Sequence, residues 1–462
     1  MFLRFILALW RSAFPPPCGN PGRENARNVK WLDGLRGIAS FLVILTHLAR
    51  AWDYDLFNSK THEHLPPRIL QLPILRLPWQ GRLGVTIFAF LTGYVCALKP
   101  LKLSRGGNYM AAYTSITKSA FRRPPRLIFP ATIAMAIAWV LAQFGAFKVG
   151  NRCDSGWIRY SSVQTKDTLW GEVMHFFHEF FSVWSNGQMD YDDHQWALRP
   201  LLRVSMAVYV TLCATMYVKF HYRILIYTGM ILFFHQNPAP DSEQLETFGQ
   251  QAFYGMLLCD LANHQPSQSF ISSFRWTRRL FCFFVIFTGL FVASFPAHKP
   301  EWCGWSNYLL HVSQYIFPPN VSLPKRWSAL GVDMVILGIF ISPGIKNVLS
   351  NRFFLYFGRN SFAVYLTHGT LLRTVLTWML HGSITGEPWV VTKNEKGEFV
   401  NPPFFPAGSR LRFTICIPIW IGLVYIVAHL WTNHVDTFCA RLTQKIENRF
   451  FESEDEKSQL PK

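Results

Sequence analysis

The sequence is short of charge for its length. Asp, Glu, Lys and Arg make up only 16% of its 462 residues, against 50% that are hydrophobic, whereas soluble domains carry about a quarter charged residues. G-x-S-x-G, P-loop and H-E-x-x-H motifs are all absent, which removes the usual marks of a serine hydrolase, a nucleotide-binding loop and a zinc peptidase. The nine cysteines form no C-x-x-C pair and no metal-ligand spacing, so no metal is expected. Five of them, Cys96, Cys213, Cys259, Cys282 and Cys416, fall in or beside apolar runs and read as packing residues. Internal repeats, low-complexity tracts and a soluble catalytic domain are also missing. The net charge of +18 raises the question of nucleic acid. The basic residues, however, stand in short clusters between apolar runs, as in cytosolic loops, and no nucleic-acid partner is expected.

What is abundant is apolar sequence in helix-length runs. The expected fold is all-α, a polytopic membrane helical bundle of about ten transmembrane helices whose first partner is the lipid bilayer. The spans read as Gly34–Trp52, Leu83–Leu98, Arg126–Phe147, Pro200–Val218, Ile224–Phe234, Gln250–Leu261, Leu280–Phe295, Leu330–Ile345, Ser361–Leu380 and Leu411–Trp431. The fifth and sixth are short. Residues 1–30 read as an N-terminal cytosolic arm, 31–441 as one membrane domain and 442–462 as a C-terminal cytosolic tail. Lys99 to Arg126 holds seven basic residues and no acid, and Arg275–Arg279 and Lys346–Arg359 are further basic clusters. Acids gather in the intervening loops, at Asp190, Asp192 and Asp193 and at Asp241, Glu243 and Glu246. The positive-inside rule then places both termini in the cytosol, in the endoplasmic reticulum or another endomembrane. Asn320-Val-Ser322 is a glycosylation sequon in an expected lumenal loop. Cys153 and Cys303 share that side, where a disulfide between them is chemically allowed.

The residues that an ordinary span would not contain are the candidates for chemistry. In WLDGLRGIASFLVILTHLAR, Asp33 suits an N-cap, and Arg36 and His47 stand eleven positions apart. At about 100° and 1.5 Å per residue they share nearly one helix face, about 16 Å apart along it. Ionisable groups in a span usually face a bundle interior or a watery cavity. An imidazole there can accept a hydroxyl proton, and a guanidinium can hold an anion; the structural alternative for His47 is a hydrogen-bonded core histidine. Arg122, Arg123 and Arg126 form a second basic group at the expected start of the third span, either topogenic or phosphate-holding. Arg203 lies inside the fourth span and calls for a partner, with Asp260 and Asp333 as candidates. His368 ends the stretch FGRNSFAVYLTH, either as a site residue or as a packed one. The glycines of GVTIFAFLTGY favour close helix packing over phosphate binding. Asp436 reads as a cap or anchor at the end of the tenth span.

Taken in order, LDGLRGIASFLVILTH, GVTIFAFLTGY, RRPPRL with Pro130, WALRPLLRVSM, GMLLCDL around Asp260, FGRNSFAVYLTH and VDTFCAR around Asp436 resemble the acyltransferase 3 family. These are polytopic acyl-CoA-dependent O-acyltransferases, and the likeness is to the fungal branch found with secondary-metabolite pathways such as meroterpenoids. It runs from about Trp31 to Arg441. The resemblance implies no bound cofactor, acyl-CoA as co-substrate, His47 and Arg36 in the catalytic centre, and the RRPPR arginines on the CoA phosphates. The implied acceptor is a hydrophobic hydroxylated small molecule, such as a terpenoid; a cell-surface glycan acceptor and a non-catalytic, transporter-like relative are the alternatives. One departure stands out. Family members commonly read W-T-x-P-x-E-x-R where this chain has Trp196, Arg199, Leu201 and Arg203, so the glutamate position holds leucine.

Overall fold

The computed structural model describes residues 29–237, 247–273, 275–382, 391–400 and 403–451. They are almost wholly helical. The helices are α1 Lys30–Trp52, α2 Arg82–Arg105, α3 Tyr109–Gln143, α4 Gly156–Ser161, α5 Leu169–Ser185, α6 Leu198–Thr215, α7 Phe220–Gln236, α8 Phe248–Ala262, α9 Gln265–Ser273, α10 Arg275–Ala293, α11 Gly304–Ile316, α12 Leu323–Ile341, α13 Pro343–Leu349, α14 Arg352–Leu371, α15 Thr377–His381, α16 Arg410–Trp431 and α17 Thr437–Phe450. One antiparallel strand pair, Thr392–Lys393 with Phe399–Val400, is the sole sheet among the described residues.

Each of the ten expected spans falls on helix. Six helices among the described residues are long and apolar enough to cross a membrane, or seven if α12 and α13, bent by 102°, count as one. The shortfall has a simple cause. α7 and α8 hold 17 and 15 residues, about 26 and 22 Å at helical rise, below the roughly 30 Å hydrocarbon thickness. The ninth stretch carries Arg373 and is interrupted by a π-turn at Leu372–Leu376, and the helix that enters it begins with Arg352 and Arg359 in its first half.

The chain divides into two units. The first comprises Met1–Thr46, Tyr54–Pro124 and Pro200–Ser361. Its helices approach through glycine. A Cβ at Gly93 of α2 would collide with the Ala252 carbonyl, and one at Gly255 of α8 with the Phe90 carbonyl. The expected packing role of GVTIFAFLTGY therefore holds. Gly358 of α14 similarly lies against the Asp33 carbonyl of α1. A second core gathers Val292, Phe295, Leu309, Phe317 and Trp327.

The second unit comprises His47–Asp53, Pro125–Arg199 and Phe362–Lys462. Its core joins Met135, Ala138 and Ala142 of α3 to Val163, Val183, Met189 and Tyr191. The 144–192 segment folds onto this core around buried Glu172, which accepts from Gln143 at 2.8 Å, Trp139 at 3.2 Å and Tyr191 at 3.2 Å. A carboxylate taken from water needs several donors, and here they tie α3, α5 and the loop together.

Three local expectations change. α1 begins at Lys30, so Asp33 lies within its first turn instead of capping it. α3 begins at Tyr109, which puts Arg122, Arg123 and Arg126 inside a 35-residue helix and not at a helix start. Asp436 ends a π-turn at Thr432–Asp436, accepting from Trp431 Nε1 at 3.1 Å, and the chain continues directly into α17. Cys153 and Cys303 are free thiols that donate to carbonyl oxygens.

Candidate active site

The second unit assembles three histidines that lie far apart in sequence. His47 comes from the C-terminal part of α1, His194 from the 3-10 turn Asp193–Ala197 that leads into α6, and His368 from α14. His47 Nδ1 lies 2.9 Å from His368 Nε2. The His47 and His194 ring centroids are 4.0 Å apart, edge to face, and those of His194 and His368 are 4.8 Å apart. Trp157 of α4 stacks parallel to His47 at 5.7 Å and meets the edge of His194 at 5.9 Å.

Local structure explains how each ring is held. Ser155 caps α4 by accepting from the Ile158 amide, and its hydroxyl donates to the Ala51 carbonyl of α1 at 2.5 Å. That contact fixes Trp157 against His47. The Tyr365 hydroxyl donates to the His194 carbonyl, and Gln195 donates to Ala131 of α3 at 3.4 Å. The π-turn after α14 adds one residue to a helical turn, a feature frequent at functional sites, and it carries the fully buried Arg373.

Hydrogen bonds assign the tautomers. His368 Nδ1 lies 2.8 Å from the Val364 carbonyl and 3.0 Å from that of Tyr365; carbonyls only accept, so Nδ1 carries the proton. Its Nε2 then accepts from His47 Nδ1, and the lone pair of neutral His47 resides on Nε2. His194 Nδ1 donates to Asp192 Oδ1 at 2.8 Å, leaving Nε2 buried and without a hydrogen-bond partner among the described residues.

Arg373 anchors the acid. It donates to Asp192 Oδ1 at 2.7 Å, to the Ser161 carbonyl at 2.7 Å and to the Gly369 carbonyl at 3.2 Å, with Asp193 at 3.3 Å. Asp193 Oδ1 also lies 3.1 Å from His194 Nδ1. Burial alone would raise the Asp192 carboxyl, but the His194 hydrogen bond and the charges of His194 and Arg373 hold it below its usual range. The approach leaves no room beside Gly369, where a Cβ would strike His194 Nδ1 and Asp192 Oδ1.

The three histidines can each offer one ligand atom to a metal ion, these atoms lying within 4.8 Å of one another. The same outer hydrogen bonds that suit a metal-bound histidine also fix tautomers for proton transfer. A thiol nucleophile in this unit is disfavoured at Cys153, whose thiol burial pushes up to about 12.

The structure therefore joins two of the expected residues, His47 and His368. Arg36 lies on α1 eleven residues before His47 and ion-pairs with Asp33 at 3.5 Å. Arg123 donates to Thr92 at 3.2 Å, and Arg126 is exposed. Asp260 is fully buried between Arg223, at 2.5 and 2.9 Å, and Arg105, at 2.6 Å; Asp333 accepts from Gln251 at 3.0 Å. Asn320 is exposed, with a left-handed φ of 61°. Sequence reading missed His194, Asp192, Trp157 and Arg373. Only Arg373 left a usable sign, a cation inside an expected span.

Residues 29–421 match the family model described as Acyltransferase domain. Among characterised proteins the chain is 27% identical over 398 residues to O-acetyltransferase PaAT-1 of Phomopsis amygdali, covering 76% of this chain and 74% of that protein. It is 22% identical to Acyltransferase clz18 of Cochliobolus lunatus, covering 74% and 82%, and 22% identical to Acyltransferase R4 of a Phoma species with the same coverage. No solved structure matches. A family match over most of the chain and a polytopic helical fold agree with the seven motifs read in order: the chain belongs to the acyltransferase 3 family and is an acyltransferase.

Proposed function

We propose that the chain transfers a short acyl group, acetyl first among them, from acyl-CoA to a hydroxyl of a lipophilic small molecule such as a terpenoid secondary metabolite. The observation that carries this reading is the buried histidine cluster, with one lone pair on His47 Nε2 and with His194 Nε2 lacking a hydrogen-bond partner among the described residues. The name of the Phomopsis relative, an O-acetyltransferase, supports the acyl group and the oxygen acceptor.

The two rings divide the acid–base work. His47 Nε2 takes the proton of the acceptor hydroxyl as its oxygen attacks the thioester carbonyl carbon. Asp192 and Asp193 both lie beside His194 Nδ1, so the imidazolium form that acts as the acid has two carboxylates next to it. Its Nε2–H then donates to the developing oxyanion and protonates the CoA sulfur as the C–S bond breaks. The products are the ester and CoA thiol, and a proton passing from His47 to its neighbour His194 resets the pair. Arg36, with Arg122, Arg123 and Arg126, would hold the CoA phosphates by charge. On this reading the protein lies in an endomembrane with both termini in the cytosol.

The test is His47→Ala in membranes supplied with labelled acetyl-CoA and a hydroxylated terpenoid. Loss of ester formation at normal expression is expected, and normal turnover would sink the reading. Metal analysis adds a second arm. Ester formation that is lost on chelation and restored by zinc would replace acid–base transfer with metal-assisted transfer.

A further inference from the structure

Cysteine spacing gave no reason to expect a metal, but α5 and the loop after it gather a different set of ligating groups. His175 and Glu179 stand four residues apart, one turn of α5, so their side chains share a face. Asp190 returns to that face from the loop. His175 Nε2 lies 3.3 Å from Asp190 Oδ2 and 3.6 Å from Glu179 Oε1. One ligand atom from each of the three falls within 4.8 Å of the other two.

The surrounding hydrogen bonds leave no donor between these groups. The Tyr191 hydroxyl donates to Glu172 Oε2 at 3.2 Å, since a carboxylate only accepts. Burial and the Glu172 carboxylate push this phenol above its usual range, so it keeps its proton. Its oxygen, 3.0 Å from His175 Nδ1, then accepts from that nitrogen. In the neutral ring the lone pair is thereby placed on Nε2, where it faces two carboxylate oxygens. Three converging acceptors repel one another unless a cation lies between them. A proton on Nε2 would serve one oxygen and leave the set negative. A divalent ion would serve all three and cancel both carboxylates.

We propose that His175, Glu179 and Asp190 form a divalent transition-metal site, with zinc the ion that best suits one imidazole and two carboxylates. The site stands apart from the acyl-transfer step and does not depend on it. Zinc bonds of about 2.0–2.2 Å at tetrahedral angles hold ligand atoms about 3.3–3.6 Å apart, the spacing found around His175 Nε2. The outer contacts also fit. Metal-bound histidines donate their other nitrogen to an acceptor, and ligating carboxylates are themselves hydrogen-bonded. Here His175 Nδ1 donates to Tyr191, the Asp190 amide donates to Glu179 Oε2 at 2.7 Å, and His178 Nδ1 lies 2.9 Å from Glu179 Oε1. Glu179 is buried, whereas the Asp190 side chain is 66% exposed, which gives the ion an entry path and room for water as a further ligand. The ion would fasten α5 to the chain two residues before Asp192, whose carboxylate holds His194.

The experiment uses the full chain in nanodiscs, stripped with a chelator and titrated with zinc while metal content and thermal unfolding are followed. Zinc should raise the melting temperature of the unaltered chain. His175→Ala should bind one zinc fewer, and His47→Ala should keep that zinc, which separates this site from the active-site histidines. Asp190→Asn changes a largely exposed side chain, so the zinc-free variant should melt as the unaltered chain does. Its zinc affinity should fall by about tenfold or more, and the zinc-dependent rise in melting temperature should vanish. Tyr191→Phe, which takes the acceptor from His175 Nδ1, should weaken zinc by about 10–100-fold. A melting temperature that zinc leaves unchanged would put a proton in the gap and overturn the assignment. So would equal zinc affinity in Asp190→Asn and the unaltered chain, or zinc lost with His47→Ala and kept with His175→Ala.

Discussion

Each unit buries one carboxylate against arginine, and the two are finished differently. In the first, Asp260 meets Arg223 in a two-point contact and Arg105 in a third. Its acceptor atoms are occupied by cations, and the cluster ties α8 to α7 and α2. In the second, Asp192 meets Arg373 and His194, but the histidine's other nitrogen has no hydrogen-bond partner among the described residues. The first arrangement is closed and holds helices together. The second is open and leaves a buried ring nitrogen available, and that difference, more than burial or charge, separates a clamp from a candidate site.

The sharpest way to break the comparison is to remove the open end. His194→Asn should lower kcat by about 10²–10⁴-fold, the usual contribution of a positioned acid or base, with the acetyl-CoA KM and the melting temperature nearly unchanged. Rate measurement in parallel with thermal unfolding decides it, and unimpaired turnover would return His194 to a packing role. Asp260→Asn should show the reverse pattern. It leaves two arginines without their carboxylate, which costs about 3–5 kcal/mol when a buried pair is broken, read as a large drop in melting temperature and in folded yield.

A smaller effect tests how tightly the open cluster is built. Gly369→Ala places a methyl against His194 Nδ1 and Asp192 Oδ1. Overpacking of this kind costs about 1–3 kcal/mol, and a displaced imidazole should slow transfer well beyond what that destabilisation explains. A stable variant with full activity would show the ring position to be unimportant.

Acid titration gives a milder test. The Asp192 carboxyl is held below its usual range in the folded chain, so its stabilisation is present at neutral pH and is lost only as pH falls below about 4. The difference in stability between the unaltered chain and Asp192→Asn should therefore stay constant from neutral to mildly acid pH and shrink below that. The least effect is expected from Cys153→Ser. Its thiol is held protonated by burial, so transfer should continue within about twofold; a dead enzyme would reopen an acyl-cysteine route.

The sequence made the helical architecture legible because apolar runs and loop charges are local properties. All ten stretches are helical, and the glycine packing of α2 follows from residue size alone. Helix ends were less legible. The expected start of the third span at Arg126 is one that α3 runs through, and Arg373 of the ninth stretch marks a π-turn instead of a plain span. In the site, His47 and His368 stood out as polar residues in apolar runs. His194 and Asp192 did not, since in a loop rich in Trp, His and acids they look like any solvated residues. Arg373 is visible by the same rule that picks out Arg203, a cation inside an apolar stretch.

By itself the sequence determined an all-helical membrane chain, the acyltransferase family and a first helix bearing Arg36 and His47. Tertiary structure decided what His47 faces. A residue's neighbours along a helix follow from periodicity, whereas its neighbours across the fold depend on where the chain returns. Only the folded second unit brings three separate stretches together, His47 from the first helix, Asp192 with His194 from one turn, and His368 with Arg373 from another helix.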